Sequence, residues 1–373
     1  MNGPKILAFG GGVDSSALLA MHLERDKAAD YLGITREQLD EAFPVVDAAV
    51  FSDPGSEWEE TYENIEYAKK RCAEVGVELA VVRHHYNRYY HKETGELLGR
   101  QKELRLLPKE EQTQYEKRKT PYTIYEWLTD GRAFPLMPGG GHVCSMRFKG
   151  EVMQKWSDER FGNHEVCTKH WYLGIELEEE GRSDRFTANR RKSDTKGKKI
   201  LGHEYHYPLM DLKLNRKECL EILDHLGWDY RGDGTPVKKS SCMWCPFSKE
   251  WEIDRLIGEW LKGNKKGLEE ALRIEELFYA QDKHAIWHED GMPLNKGGKC
   301  GAGHHRQPYA TGYCSHPGCA EHNKHGQATL IQIRYPNDGS QPNAKGTVRK
   351  TIKQHIDRYN AESDTIRALK REL

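Results

Sequence analysis

Leu7-Ala8-Phe9-Gly10-Gly11-Gly12-Val13-Asp14-Ser15-Ser16 is the stretch on which the fold turns. It completes Lys5–Phe9, a short apolar run that reads as a buried strand. It leads into Ala17-Leu18-Leu19-Ala20-Met21, which reads as the start of a helix. Strand, glycine turn and helix N-terminus in succession make an anion site. The glycines let backbone approach phosphate oxygens, and the free N–H groups and the helix dipole favour negative charge. No Gly-Lys-Ser/Thr closes the turn, so it is not a Walker loop, and its glycines lack the spacing of a dinucleotide turn. The alternative is a ligand-free turn in which Asp14-Ser15-Ser16 only caps the helix.

Outward from this loop, strand and helix alternate. A helix is expected from about Ser15 to Arg25, a strand at Asp47–Phe51, a helix at Glu57–Val75 and a strand at Glu78–Arg83. This βαβαβ order predicts an α/β fold with a doubly wound, mostly parallel sheet. Residues 84–141 break the pattern. They are polar, basic and aromatic with some helical periodicity, and read as a helical insertion at the sheet rim. Basic residues interleaved with aromatics there suit nucleic acid. Locally paired charges, with Glu103, Glu110, Glu111 and Glu116 among the bases, are the alternative. The sheet resumes at His170–Ile175. A charged loop runs from Glu176 to Lys199, and Asn215–Leu226 reads as a helix closed by Gly227. Lys249–Leu261, Gly267–Ala280 and the tail from Thr351 to Leu373 read as further helices. The expected organisation is a nucleotide-binding domain over 1–250 and a helical, Cys/His-rich region over 251–373.

Composition narrows the function. Among 373 residues, 57 basic side chains against 58 acidic leave a net charge of −1, so no global charge argues for nucleic acid or a membrane. No apolar run approaches membrane-spanning length, and no basic segment followed by an apolar one opens the chain. A cytoplasmic location and no membrane partner are expected. In that compartment nine cysteines point to metal ligands, reactive thiols or buried small residues rather than disulfides.

Two further clusters carry chemistry. In Cys242-Met243-Trp244-Cys245-Pro246 two thiolates two residues apart suit one edge of an iron–sulfur cluster or a zinc ion; the alternatives are a metal-free segment or a redox pair, for which the surrounding βαβ pattern is missing. Cys300, Cys314, Cys319 and His322, with further histidines nearby, suit a small tetrahedral zinc site that would hold a loop poor in apolar residues; a nucleophilic cysteine and a polar loop with no metal are the alternatives.

The opening loop resembles the PP-loop (Ser-Gly-Gly-x-Asp-Ser) of the ATP pyrophosphatase and phosphoadenosine phosphosulfate (PAPS) reductase-like family. Gly11, Gly12, Asp14 and Ser15 match, while Gly10 stands where serine is usual. Ser52-Asp53-Pro54-Gly55-Ser56-Glu57 resembles the family's Asp-Thr-Gly-x-Glu segment. Cys144-Ser145-Met146-Arg147-Phe148-Lys149 resembles Cys-Thr-x-x-x-Lys, and Gly174-Ile175-Glu176 onward resembles Gly-Ile-Arg-x-x-Glu-Ser. There Glu176 replaces the arginine and Glu180 the serine, with Arg182 and Arg185 following. The pattern over residues 4 to 250 is most similar to the sulfurtransferase branch that acts in DNA phosphorothioation.

The resemblance implies the adenine nucleotide α-hydrolase-like fold, with ATP and Mg²⁺ bound and ATP cleaved to AMP and pyrophosphate. Phe9, Gly10, Gly11, Gly12, Val13, Asp14, Ser15 and Ser16 would line the nucleotide with Asp53, Gly55, Gly174, Arg147 and Arg182. Asp14, Ser15 and Lys149 would act in turnover, Lys149 by neutralising transition-state charge. Cys144, Cys242 and Cys245 would hold a [4Fe–4S] cluster or zinc, the fourth ligand being Cys167, Cys219, His142 or a non-protein group. DNA or tRNA is the implied acceptor, and a cysteine desulfurase the implied sulfur donor. The alternatives are a PAPS or adenosine phosphosulfate (APS) reductase that releases sulfite, and a non-catalytic nucleotide-binding module of a modification or defence complex.

Overall fold

The structure is a computed structural model that describes residues 3–99, 101–131, 143–163, 167–179, 202–245 and 250–283. In chain order the elements begin β1 (Lys5–Ala8), α1 (Val13–Leu23), α2 (Arg25–Leu32), α3 (Arg36–Ala42), β2 (Ala48–Asp53), α4 (Glu59–Glu74) and β3 (Leu79–Arg83). They continue with β4 (His85–His91), β5 (Leu97–Gly99), α5 (Gln101–Leu106), α6 (Lys109–Gln112), β6 (Tyr115–Pro121), α7 (Ile124–Gly131) and α8 (Val143–Ser145). A π-helical turn, Met146–Gly150, leads into α9 (Glu151–Phe161), then β7 (Lys169–Leu173), β8 (His203–His206), α10 (Pro208–Asp211), α11 (Arg216–His225), α12 (Glu250–Leu261) and α13 (Lys266–Lys283). Contacts divide the chain into two units, Met1–Tyr122 with Met146–Ser241, and Thr123–Ser145 with Cys242–Leu373.

The first unit is built on a five-stranded sheet of order β3-β2-β1-β7-β8, every pair of which is parallel. The α/β reading with a mostly parallel sheet therefore holds. Alternate residues serve opposite faces. Leu7, Phe9, Ala49, Phe51 and Tyr172 pack with side chains of α1, α4 and α11, while Ile6, Val50 and Trp171 pack with Met153, Trp156 and Phe161 of α9. Covering both faces explains why all six residues of β2 are buried, and why Ala-Ala-Val-Phe reads as one apolar run. The chain leaves β1 for β2 on one side and returns to β7 on the other. The carboxyl end of β1 is thus the point where strand order reverses, the usual place for a ligand in such sheets.

Helix α1 is buried from Val13 to His22. A helix hidden on all sides has no solvent stripe, so His22 is forced inside. Burial, with the charges of Arg25 and Arg36 adding to it, pushes its imidazole down to about 4. The folded state thus keeps His22 neutral, whereas the unfolded chain takes up the proton near its ordinary value of 6.5. The stabilisation is complete above pH 6.5 and lost as pH falls toward 4, amounting to about 3 kcal/mol over that window. Urea midpoints should fall between pH 7 and pH 4.5 in the wild type, and His22→Gln should flatten that fall.

The segment expected as a helical insertion is largely a second sheet. β4 pairs antiparallel with β5 and with β6 in the order β5-β4-β6, and the helices it carries before Tyr122, α5 and α6, are short. Its aromatic residues serve cross-strand packing rather than a helix stripe. Arg88 lies over the Tyr122 ring and Arg118 over Tyr90, on one face of the β4–β6 ladder. Strand β8 and helices α2 and α3 are additions to the expected elements. Thr35 opens α3 through a capping box with Gln38.

In the second unit, Ile124 and Leu128 of α7 are buried, as are Leu256 and Ile257 of α12 and Leu268, Ala271 and Ile274 of α13. Trp244 is 1% exposed and donates its indole N–H to Glu270 Oε2 at 2.7 Å. Its ring meets Tyr125 edge-on. The tail helix expected over Thr351–Leu373 lies outside the described residues. No helix among the described residues is long and apolar enough to cross a membrane.

Candidate functional site

Three loops leave the carboxyl ends of β1, β2 and β7, and parallel pairing brings them to one edge of the sheet. The first is the glycine loop. Gly10 N–H donates to Ser15 Oγ at 3.0 Å, and Ser15 Oγ donates to Gly12 O at 3.1 Å, so the Ser15 hydroxyl closes the loop on itself. Gly11 has a φ of +72°, which glycine adopts without strain. Gly12 is the N-cap of α1 and has no side chain with which to cap it, so the first-turn donors of an eleven-residue helix receive no help from their own cap residue. Phe9 and Val13 turn their side chains into the core, and Ser16 is wholly buried. These three offer a ligand only backbone.

Residues distant in sequence hold the loop. Asn64 of α4 donates through Nδ2 to Gly11 O at 3.0 Å and to Ser16 Oγ at 2.9 Å, and its Oδ1 accepts from Trp228 Nε1 at 2.8 Å. One amide therefore ties α4, the loop and the chain after α11 together. Arg216, at the start of α11, donates to Asp14 Oδ2 at 2.6 Å. Ser240 lies over the loop: a Cβ on Gly12 would stand 3.0 Å from Ser240 N and 3.1 Å from its Oγ, and one on Gly10 would stand 3.7 Å from that Oγ. A hydroxyl from elsewhere in the chain thus sits beside the position where Gly10 replaces serine. Neither Arg216 nor Ser240 is signalled by spacing, because each reaches the loop only through the fold.

The second loop follows β2. Asp53 is 3% exposed. Its Oδ1 accepts from Gly55 N–H at 2.7 Å and Tyr62 OH at 2.8 Å, and its Oδ2 from Arg83 Nε at 2.8 Å. Burial, then the Asp53 charge, raises the Tyr62 phenol well above its ordinary value, so Tyr62 remains a donor. Ser56 Oγ and Glu57 Oε2 are buried without a hydrogen-bond partner. Such atoms cost free energy unless a ligand or water meets them. Glu57 Oε1 accepts from Lys149 Nζ at 2.9 Å, and the Glu57 side chain is fully buried. In this state the Lys149 ammonium serves Glu57. Lys149→Met would leave a buried carboxylate without its cation and should cost about 3 kcal/mol of stability. Adding Glu57→Gln should recover part of that loss, as chemical denaturation of the two variants would reveal.

The third loop follows β7. Gly174 lies against the glycine loop so closely that a Cβ there would meet Ser15 N at 2.7 Å. Glu176, where the resemblance expects arginine, is 4% exposed and accepts from Glu178 N–H at 2.7 Å. It caps the exposed turn Leu177–Glu179 from a buried position. Arg147 is exposed, and after burial its charge is the next cause holding His84 below the ordinary imidazole range. Arg182 lies outside the described residues.

The chain matches no family model, no curated protein and no solved structure.

The thiols divide between the two units. Cys144, Cys242 and Cys245 all belong to the second unit, and none is in a disulfide. Cys245 N–H donates to Cys242 O at 3.1 Å, which folds Cys-x-x-Cys into one turn beside the buried Trp244. Cys219 and Cys72 are core residues of the first unit, their thiols pushed up by burial to about 12 and about 11. Without a metal beside them both stay protonated thiols packed among apolar side chains. Cys167, also of the first unit, is half-buried with its thiol toward Thr168 O. Cys300, Cys314, Cys319, His322 and the candidate ligand His142 lie outside the described residues.

Chemically, the edge combines a backbone anion cradle, a carboxylate–guanidinium pair at the helix start and a lysine on a buried glutamate. This set suits a polyanion whose charge is met by N–H groups and cations.

Proposed function

We propose that the chain is a PP-loop enzyme that binds ATP and cleaves it between the α- and β-phosphates to adenylate an acceptor for sulfur transfer. The observation that carries the reading is the glycine loop itself. It opens α1 at the strand-order reversal and is clamped by Asn64 and Gly174, with Asp14 paired to Arg216. Amides of 11–15 would hold the phosphates, while the Gly10 N–H closes the loop on Ser15 Oγ. The unpartnered Ser56 Oγ fits a further ligand contact. An acidic residue among phosphates requires a cation between them, and the Asp14–Arg216 pair fits that need, as would Mg²⁺.

An acceptor oxygen attacks the α-phosphorus and pyrophosphate leaves. A sulfur nucleophile then displaces AMP from the adenylated acceptor. Lys149 can stabilise charge on the transferring group once it shifts from Glu57. Cys144, Cys242 and Cys245 support the sulfur assignment by ligand type and by sharing one unit, where a [4Fe–4S] cluster or zinc would be held. Nucleic acid, DNA or tRNA, is the proposed acceptor, with a cysteine desulfurase as sulfur donor.

Incubation with ATP and candidate acceptors tests the reading, which expects AMP and pyrophosphate in equal amounts. Thiol-dependent sulfite release from PAPS or APS would instead establish the reductase. Nucleotide binding with neither reaction would leave a binding module. Glu176, buried and engaged where a sulfonucleotide site would want a cation, favours the first outcome.

A further inference from the structure

On the first unit's sheet, away from the glycine loop, three side chains converge that the proposed function does not use. β7 pairs with β8 so that His170 stands opposite Glu204 and Tyr172 opposite His206. Parallel in-register pairing puts all four on one face. His170 Nδ1 lies 3.2 Å from His206 Nε2 and 3.2 Å from Glu204 Oε2, and the ligand atoms of all three residues lie within 4.8 Å of one another. His170 is 3% exposed, and its other ring nitrogen, Nε2, is buried without a partner. The His206 ring stacks on Tyr172, with centroids 4.8 Å apart and planes 18° apart, and Tyr172 is 1% exposed. The histidines are therefore held by packing, while the Glu204 side chain is 44% exposed and opens a path to solvent.

We propose that His170, Glu204 and His206 form a binding site for a zinc-class divalent metal ion. Hydrogen bonding alone serves the cluster poorly. One N–H on His170 Nδ1 can point at the carboxylate or at the neighbouring imidazole, and both stand at the same distance. A cation accepts lone pairs from all three atoms. Tetrahedral zinc with bonds near 2.1 Å needs its ligand atoms about 3.4 Å apart, close to the spacings His170 makes here. Two imidazoles and one carboxylate suit zinc, cobalt or nickel rather than calcium or magnesium, and three protein ligands leave a position for water. His170 pairs with Lys5 at the amino end of β1, whereas Gly174 follows the carboxyl end of β7. The ion would accordingly pin the polar edge strand β8 to β7 and stabilise the fold.

The test is cobalt titration of the full chain after chelator treatment, compared with His206→Gln and Glu204→Gln. Cobalt on cysteine thiolates gives a near-ultraviolet charge-transfer band, and cobalt on this N/O site does not. The wild type should take up one more equivalent than His206→Gln while the thiolate band is the same in both. Cobalt should raise the urea midpoint more in the wild type than in His206→Gln. Equal uptake and equal midpoint shifts would overturn the proposal. Should His206→Gln fail to fold, Glu204→Gln decides, since its side chain is half in solvent. A loss of about ten-fold or more in affinity for that equivalent supports the site, and unchanged affinity overturns it.

Discussion

Gly174→Ala is expected to abolish detectable ATP binding. The new Cβ would lie 2.7 Å from Ser15 N, 2.9 Å from the Asp14 carbonyl carbon and 3.0 Å from Ser15 Cα. All three are backbone atoms in the first turn of α1, so no side chain can swing aside. The glycine loop or β7 must move. Overpacking of this kind costs about 1–3 kcal/mol of stability. A displacement of about 1 Å also takes the loop's N–H donors out of hydrogen-bond reach of the phosphates, which weakens binding. Calorimetric titration with ATP, run beside urea denaturation, separates the two effects. Gly258→Ala is the control, because a Cβ there meets nothing within 4 Å. Wild-type ATP affinity in Gly174→Ala would contradict the placement of phosphates on the loop.

Asp14→Ala should lower turnover by about 10²–10³-fold with little loss of stability. A lone carboxylate beside phosphates would repel them, so Asp14 matters through the cation it positions. Arg216 is that cation here, 2.6 Å away. The Arg216 side chain is 39% exposed. On losing its partner it can turn to water, which limits the stability cost to about 1 kcal/mol. The catalytic cost is larger because an unheld guanidinium no longer points at developing charge. Steady-state pyrophosphate release, with circular dichroism to verify the fold, measures both. Retained turnover would remove the phosphate-loop assignment.

Much of the sheet was legible because its signals are local. Lys5–Phe9, Asp47–Phe51 and Glu78–Arg83 are apolar runs bounded by turn residues, and the strands fall there within one or two residues. Asn215, expected to open a helix, is its N-cap, with a capping box to Glu218. The β8 strand was illegible. His-Glu-Tyr-His has no apolar run, and it is a strand because β7 offers its edge. The β4–β6 ladder was misread for a related reason. Its residues are exposed or half-buried on both faces, so no alternation of apolar and polar marks the period. At the candidate site, the glycine loop and the loop after β2 were visible as motifs. Asn64, Arg216, Ser240 and the backbone contact at Gly174 were not, because they meet the loop from 48 or more residues away in the chain and only folding brings them there. Lys149 was legible as a cation near the edge, but its bond to Glu57 was not.

The proposed function stands or falls on nucleotide phosphates held by the backbone amides of residues 11–15. Amide hydrogen exchange of the full chain, with and without ATP and Mg²⁺, tests it most directly. ATP should slow exchange at residues 10–16 and around Gly55 and Gly174, and adenosine, which lacks phosphates, should leave residues 10–16 unchanged. Unaltered exchange across residues 10–16 at saturating ATP, or equal protection by adenosine, would contradict it.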